Sequence, residues 1–537
     1  MIHHTIQHPP VAAHEGVIRY EVPAVVPDPL PVLRSAAGEQ VWFLGDDPAL
    51  EERLREAGYY LSKPVIPEEL FNGYSDDGEE YYQLLLRSQH NGTFPEFIVY
   101  ALPLNGGGTA AEAAAAGIWP VFDIVRAWQR IKPAARIQLC YLYRQQQDYY
   151  TAVHEALIGF ARSLRNETPL FDIKLIGLAD AAAFDNRADI LRREMRTPAF
   201  TGMLLFKDQG RFTVGLEASP EMGGNGNGHT FFRKNGHYLI TGGAGGLGLI
   251  FARYLSETYQ AHVSLCGRRA PDTVIRELLK PLKQVRYYQA DVTNETAITA
   301  LIATVTADSG PLRGVFHSAG VLCDNFLLKK TKAEFMSVIA PKLHGTVLLD
   351  EHTRDQPLDG FLLFSSWSAW LGLPGQCDYS FANSFLNAFA AVRHASNNRP
   401  GITRAVAWPL WQEGGMQLPA GAAAEYDTLS ATAGITALEN CLTGTAPVYF
   451  ITRETDTKQQ TMFSSDITSG NGKPAASLPA TDLYSSALQL IKRILSVTTR
   501  ISPEKFTEHK PLEEYGIESM MIAAINKELE QYFGEVS

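Results

Sequence analysis

The chain has 537 residues, 45% hydrophobic and 20% charged, with a formal net charge of −11. That length predicts roughly three to four domains, and the acidic balance argues against nucleic acid or an anionic membrane surface as a partner. Cys140, Cys266, Cys323, Cys377 and Cys441 form no CxxC pair and no zinc spacing, which predicts reduced thiols, a cytoplasmic setting and no metal site. No apolar run approaches the length of a membrane span, and the His- and Pro-rich start lacks the apolar core of a signal peptide.

Residues 1–30 read as extended. Strand and helix patterns then alternate: strands over 40–45, 97–102, 137–143 and 171–176, helices over 48–57, 110–128 and 150–164. This alternation predicts a parallel sheet covered by helices. The first strand-to-helix turn, Leu44-Gly45-Asp46-Asp47-Pro48, holds one glycine and two carboxylates. A pyrophosphate site needs bare backbone and no negative charge, so this half reads as structural. Residues 203–216 read as a hairpin turning near Gln209-Gly210, and the Gly/Asn-rich stretch 221–236 as a linker.

A fuller βα series follows, with strands at 237–241, 262–266, 285–290, 314–317, 361–364 and 404–408. A helical pattern over 331–353 contains Pro341, where a break or kink is expected. The spacing predicts a doubly wound sheet. Residues 456–481 are polar and rich in Ser, Thr, Pro and Gly, and read as a disordered linker ahead of helical segments at 483–497 and 519–532.

Thr241-Gly242-Gly243-Ala244-Gly245-Gly246-Leu247-Gly248 joins a strand directly to a helix. Its glycines permit the tight turn and close approach that seat a pyrophosphate on a helix N-terminus. After the next strand come Arg268 and Arg269, where a site for the unphosphorylated dinucleotide would carry a carboxylate; two guanidiniums suit a 2′-phosphate. Asp291, followed by Val292, either accepts from an adenine amino group or caps the next helix.

The stretch FSSWSAWLGLPGQCDYSFAN, residues 364–383, ends an apolar run in Ser365 and Ser366 and reaches Tyr379 and Asn383, one above the other if a helix starts near Asp378. A hydroxyl facing a phenol can polarise a carbonyl: the phenol gives a proton to a developing alkoxide while the serine holds the same oxygen. By itself the stretch is equally a packed aromatic helix behind a Ser-rich turn. Lys342 gains meaning only if it faces Tyr379, where an ammonium lowers the phenol's pKa.

Together TGGAGGLG, GVFHSAG (314–320, with Ser318, Ala319 and Gly320), FSSWSA and Tyr379-x-x-x-Asn383 resemble the ketoreductase domains of modular polyketide synthases, within the short-chain dehydrogenase/reductase superfamily. GQCDYSFANSFLNAFA and LKKTKAEF resemble the branch whose acyltransferases act in trans. Ordinary members of the superfamily carry lysine four residues after the tyrosine; here Asn383 stands there, and Lys342 occupies this branch's lysine position. The resemblance implies an α/β chain of two Rossmann-like subdomains, the first structural and truncated, the second a doubly wound catalytic sheet. It implies NADPH in the glycine turn, Ser366 and Tyr379 on the ketone oxygen, and Lys342 and Asn383 positioning the tyrosine and a water.

Val321-Leu322-Cys323-Asp324 resembles the family's Leu-Asp-Asp fingerprint for a D-configured (B-type) hydroxyl, departing at Cys323 and keeping Asp324. The opposite class carries tryptophan eight residues before the tyrosine; here Leu371 holds that place and Trp370 lies one residue further away. Residues 408–416 resemble a WGxW…GGM segment with Pro409 for glycine, and 417–440 the mobile lid after it. Tyr515-Gly516-Ile517-Glu518-Ser519-Met520 resembles an acyl-carrier motif, which makes Ser519 the phosphopantetheine site of a partial carrier segment. The domains expected are 1–220, 221–455, a linker over 456–481, and 482–537. The implied partners are a carrier-bound 3-ketoacyl chain and other synthase domains; a free-standing dehydrogenase and an inactive cofactor-binding scaffold are the alternatives.

Overall fold

The structure, a computed structural model, describes residues 18–28, 38–64, 78–101, 110–133, 135–146, 148–219, 231–396, 398–414, 428–453 and five isolated positions between 491 and 525. The linker 456–481, the WGxW-like segment beyond Gly414, residues 417–427 and Ser519 lie outside the described residues.

The first series of strands is β1 (Ile18–Pro27), β2 (Gln40–Leu44), β3 (Tyr60–Ser62), β4 (Phe97–Tyr100), β5 (Ile137–Arg144), β6 (Phe171–Leu178), β7 (Gly202–Lys207) and β8 (Gly210–Ala218). The second is β9 (His237–Thr241), β10 (His262–Gly267), β11 (Val285–Gln289), β12 (Gly314–His317), β13 (Gly360–Ser366) and β14 (Ile402–Trp408). Two two-residue strands, β15 (Leu410–Trp411) and β16 (Thr428–Leu429), and β17 (Val448–Arg453) complete it. All but β15 and β16 form one 15-stranded sheet, ordered β11-β10-β9-β12-β13-β14-β17-β1-β8-β7-β6-β5-β4-β2-β3.

The second series is parallel, and its order reverses between β9 and β12. In the first series, β2 to β7 are parallel and the order reverses between β2 and β4. Open α/β sheets bind ligands at the carboxyl ends of strands flanking such a reversal. The two series meet through β1, which pairs antiparallel with β17 on one side and β8 on the other. The β7–β8 hairpin turns at Asp208 and Gln209, both with positive φ, as a two-residue hairpin turn requires.

One apolar core runs behind both series. The helices Ala110–Ile131 and Tyr149–Glu167 of the first pack against Lys332–His352 and Cys377–Ala395 of the second. At the closest crossing Gly159 faces Ser380, whose carbonyl oxygen would lie 2.2 Å from any Cβ there. Only glycine lets these two helices touch. Ser163 Oγ donates to Ser380 Oγ at 3.0 Å, and Lys332 pairs with the buried Asp123 at 2.8 Å.

Three local expectations change. The helix Lys332–His352 runs through Pro341 without a break. The expected linker ends before residue 231: Phe232 is 2% exposed among Tyr238, Tyr254 and Phe316, with Phe231 half-buried beside it, because aromatic side chains bury where a Gly/Asn run alone would not. The lid-like stretch is packed from Thr428 onward, where β16 pairs with β15 and the helix Ala431–Thr443 lies on Trp411.

Candidate active site

The glycine turn leaves β9 at Thr241 and enters the helix Gly246–Tyr259 through Gly245, with no side-chain cap on that helix. Its first-turn N–H groups are thus unclaimed by any side chain, as an anion site requires. Gly242 has φ of +65°, and a Cβ there would lie 2.8 Å from the Ser318 carbonyl oxygen. The turn is therefore closed to any residue with a side chain at that point. Gly243 N donates to the Cys266 carbonyl at 3.1 Å, tying the turn to β10. Leu247 packs into the apolar cluster beneath it, and Gly248 is buried against Gly243.

His317, at the end of β12, connects this turn to the lysine helix. Its Nε2 faces the Pro341 carbonyl at 3.0 Å, which can only accept, so Nε2 carries the proton. Nδ1 then accepts from the Thr241 hydroxyl at 2.7 Å, and Thr241 Oγ1 accepts from Ala319 N at 3.4 Å. Burial, and then the Lys342 charge, push the imidazole down to about 3, so it stays neutral. In the sequence, only its place inside GVFHSAG marks this histidine.

Arg268 and Arg269 follow β10 and are exposed. Their carbonyls accept from Gln289 Nε2 at 3.0 Å and from the Tyr287 hydroxyl at 2.8 Å, so the backbone is held while the guanidiniums reach solvent. Asp291 does not cap the next helix. Its Oδ1 accepts from the amide and hydroxyl of Thr293 at 2.9 and 2.8 Å, closing a turn, while Asn294 caps the helix Glu295–Ser309. Val292 is buried behind Gly345 of the lysine helix. These residues line the carboxyl ends of β9, β10, β11 and β12, and they fit a dinucleotide: bare backbone at the helix start and cationic side chains beyond the second strand.

Tyr379, Asn383, Ser366 and Lys342 converge beside it. The helix Cys377–Ala395 starts one residue before Asp378 and places Tyr379 and Asn383 a turn apart, both buried. Ser366 ends β13, and its Oγ accepts from Ser368 N at 3.2 Å. Burial raises the Tyr379 phenol above its ordinary pKa, while hydrogen bonding from Asn383 and Ser366 pulls it back. Asn383 Nδ2 donates to the Tyr379 carbonyl at 2.8 Å and to Ser368 Oγ at 3.2 Å, leaving its Oδ1 buried with no protein partner. A buried amide oxygen in that state is a ready acceptor for a water.

Lys342 is 4% exposed and donates to the Phe364 carbonyl at 2.7 Å, with Nζ 6.0 Å from the Tyr379 ring centre. Gly320 lies against its stem: a Cβ there would come within 3.0 Å of Lys342 Cε. Burial pushes the ammonium down to about 7. Asp324 lies on the loop after β12 and accepts from Gln376 Nε2 at 2.9 Å, next to the start of the tyrosine helix. The Trp370 ring lies under the Arg162 guanidinium at 4.0 Å and edge-on to Phe450.

Residues 236–413 match the KR domain family, residues 66–194 a beta-ketoacyl synthase-like N-terminal family, and residues 489–537 the phosphopantetheine attachment site family. Polyketide synthase PksL of Bacillus subtilis (strain 168) is 33% identical over 417 residues, 71% of this chain and 9% of that protein. The chain thus spans about a tenth of the length of that relative. A ketoreductase described as N-terminal in a macrolactin assembly line superposes with a TM-score of 0.70 at 26% identity, over 84% of this chain and 94% of that one. A ketoreductase domain from the bacillaene assembly line gives 0.62 at 22% identity, over 84% and 100%, a likeness of fold alone. The glycine turn, the buried Lys342 and the Tyr379 helix all lie inside the first match, and the chain carries a KR domain of the polyketide synthase kind together with a phosphopantetheine attachment region.

Proposed function

We propose that the second series of elements reduces the 3-keto group of an acyl chain tethered to an acyl carrier protein, with NADPH as reductant and a D-configured (B-type) hydroxyl as product. The observation that carries this reading is the meeting of the buried Lys342, Tyr379 and Asn383 with the half-buried Ser366 beside the glycine turn. NADPH, when bound, supplies the hydride that reaches C3.

The residues do the rest. Ser366 and the Tyr379 hydroxyl hold the ketone oxygen, and the phenolic proton passes to that oxygen as it becomes an alkoxide. Lys342 in its charged form stabilises the tyrosinate left behind. Asn383, with its free Oδ1, orients a water that returns the proton. Arg268 and Arg269 favour the 2′-phosphate. Asp324 sets which face of the ketone meets the hydride, and Trp370, held by Arg162, leaves that choice to it. Residues 1–220 serve as a structural half and 221–455 as the catalytic one. Residues 456–481 link them to a carrier segment, 482–537, whose Ser519 takes the phosphopantetheine, and other synthase domains supply the substrate.

The test is turnover of a 3-ketoacyl pantetheine thioester, followed by absorbance with NADPH and with NADH, with the product resolved by chiral chromatography. The reading requires thioester-dependent loss of NADPH, a clear preference over NADH and a D-hydroxyl. An L-hydroxyl would refute the B-type assignment, and no turnover would refute the function.

A further inference from the structure

Two segments lead into the site's catalytic helices. The loop 321–330, which carries Asp324, runs into the helix bearing Lys342 through its cap Thr331. The turn at Gly375, with φ of +79°, runs into the helix bearing Tyr379 through Gln376. The two segments touch directly: Asn325 N donates to the Gly375 carbonyl at 2.9 Å, and Gln376 Nε2 donates to Asp324 at 2.9 Å.

A residue of the other half of the chain holds both. Glu167 is the last residue of the helix Tyr149–Glu167. Its Oε2 accepts from Leu327 N and its Oε1 from Gly375 N, each at 2.9 Å. A carboxylate at a helix C-terminus works against the helix dipole, so helix stability does not explain it. Its two acceptor oxygens match the two amides, one from each segment. Beside it the buried Lys330 donates to the Cys323 carbonyl at 2.5 Å and to Asp378 at 2.7 Å, binding the same loop to the tyrosine helix a second time. Asn166, next in sequence, donates to the Leu371 and Gly372 carbonyls.

We infer that Glu167 is a positioning residue for the reduction: from the N-terminal half it latches the Asp324 loop to the start of the Tyr379 helix, and so fixes the face on which substrate meets the phenol. The inference rests on the function proposed above, and goes beyond it by giving the N-terminal half a part in stereocontrol. Glutamine at this position keeps the size but offers one acceptor oxygen and turns N–H groups toward the other amide. Alanine offers none.

The full chain carries the test, as wild type, Glu167→Gln and Glu167→Ala. Hydrogen exchange at the Leu327 and Gly375 amides should quicken at least tenfold in Glu167→Ala and by less in Glu167→Gln. The minor hydroxy enantiomer should rise several-fold and KM for the thioester should increase, with KM for NADPH unchanged. Unchanged exchange at both amides would overturn the latch, and that readout does not depend on turnover, so it stands apart from failure of the proposed function. Faster exchange with an unaltered enantiomer ratio and thioester KM would overturn the positioning role. If Glu167→Ala does not fold, the near-isosteric Glu167→Gln decides both points.

Discussion

The two halves of the molecule each present a strand-to-helix turn where their strand order reverses, and they treat it in opposite ways. After β9 the turn is glycine, with no side chain on the amides of the following helix. After β2 the same place is filled from within. Asp47 caps the helix Pro48–Glu56 through Leu50 N at 3.1 Å, and Arg187 Nε holds its other oxygen at 2.6 Å. Burial raises the Asp47 carboxyl, but the Arg187 guanidinium and the Leu50 amide outweigh it and keep the group below its ordinary value. Nearby, Tyr100 stacks on Tyr141 at 5.2 Å, and the Tyr141 hydroxyl meets His154 Nδ1 at 2.6 Å, all fully or almost fully buried. A helix N-terminus thus serves a ligand or serves the fold, according to whether the turn supplies its own anion.

Breaking the open half should have the larger effects. Lys342→Met should lower kcat on the thioester by ~100-fold or more, a general acid losing its tuning. Since burial holds this lysine at about 7, wild-type kcat should fall as pH rises above about 7, and the variant should lose that limb. The stability effect has the opposite direction. Between about pH 7 and the ordinary lysine value of 10.5 the unfolded chain binds the extra proton, so the wild type gains stability as pH rises. Lys342→Met should therefore raise the melting temperature most at or below pH 7, which thermal unfolding at pH 6 and pH 9 will show.

Gly242→Ala places a Cβ 2.8 Å from a backbone carbonyl at a positive φ. Strain of that kind, ~1–3 kcal/mol, should weaken NADPH binding by ~10–100-fold as followed by nucleotide fluorescence. The contrasting change is Asp47→Ala in the closed half. It should leave NADPH binding and turnover as they were, and should cost about 2 kcal/mol in denaturant unfolding, the loss of a cap and of a partner for Arg187. A fall in NADPH affinity on Asp47→Ala would end the division of roles between the two turns.

Much of this was legible because the decisive signals are local. A glycine run between a strand and a helix, and a tyrosine and an asparagine four residues apart, need no tertiary knowledge. The reading of the first half as structural rests on equally local signals, Asp46 and Asp47 in its turn. What escaped depends on partners distant in sequence. Residues 1–30 read as extended, but nothing in β1 announces that it joins the halves by pairing with β8 and β17. Phe231 and Phe232 read as part of a Gly/Asn-rich linker because their partners Gly360 and Phe316 lie far along the chain. Pro341 reads as an interruption of its helix, yet it sits inside a continuous one, with its carbonyl taken by His317. Glu167 is one acidic residue at a helix end until Leu327 and Gly375, 160 and 208 residues away, are brought to it.

The central claim is that the buried Tyr379 phenol delivers the proton in a reduction fed from the glycine turn. It is tested most directly by Tyr379→Phe, with NADPH oxidation measured on a 3-ketoacyl pantetheine thioester and nucleotide binding measured on the same sample. The account predicts turnover reduced by ~10²–10⁴-fold with NADPH binding intact, the range of a lost general acid. Equal turnover by wild type and variant would contradict it.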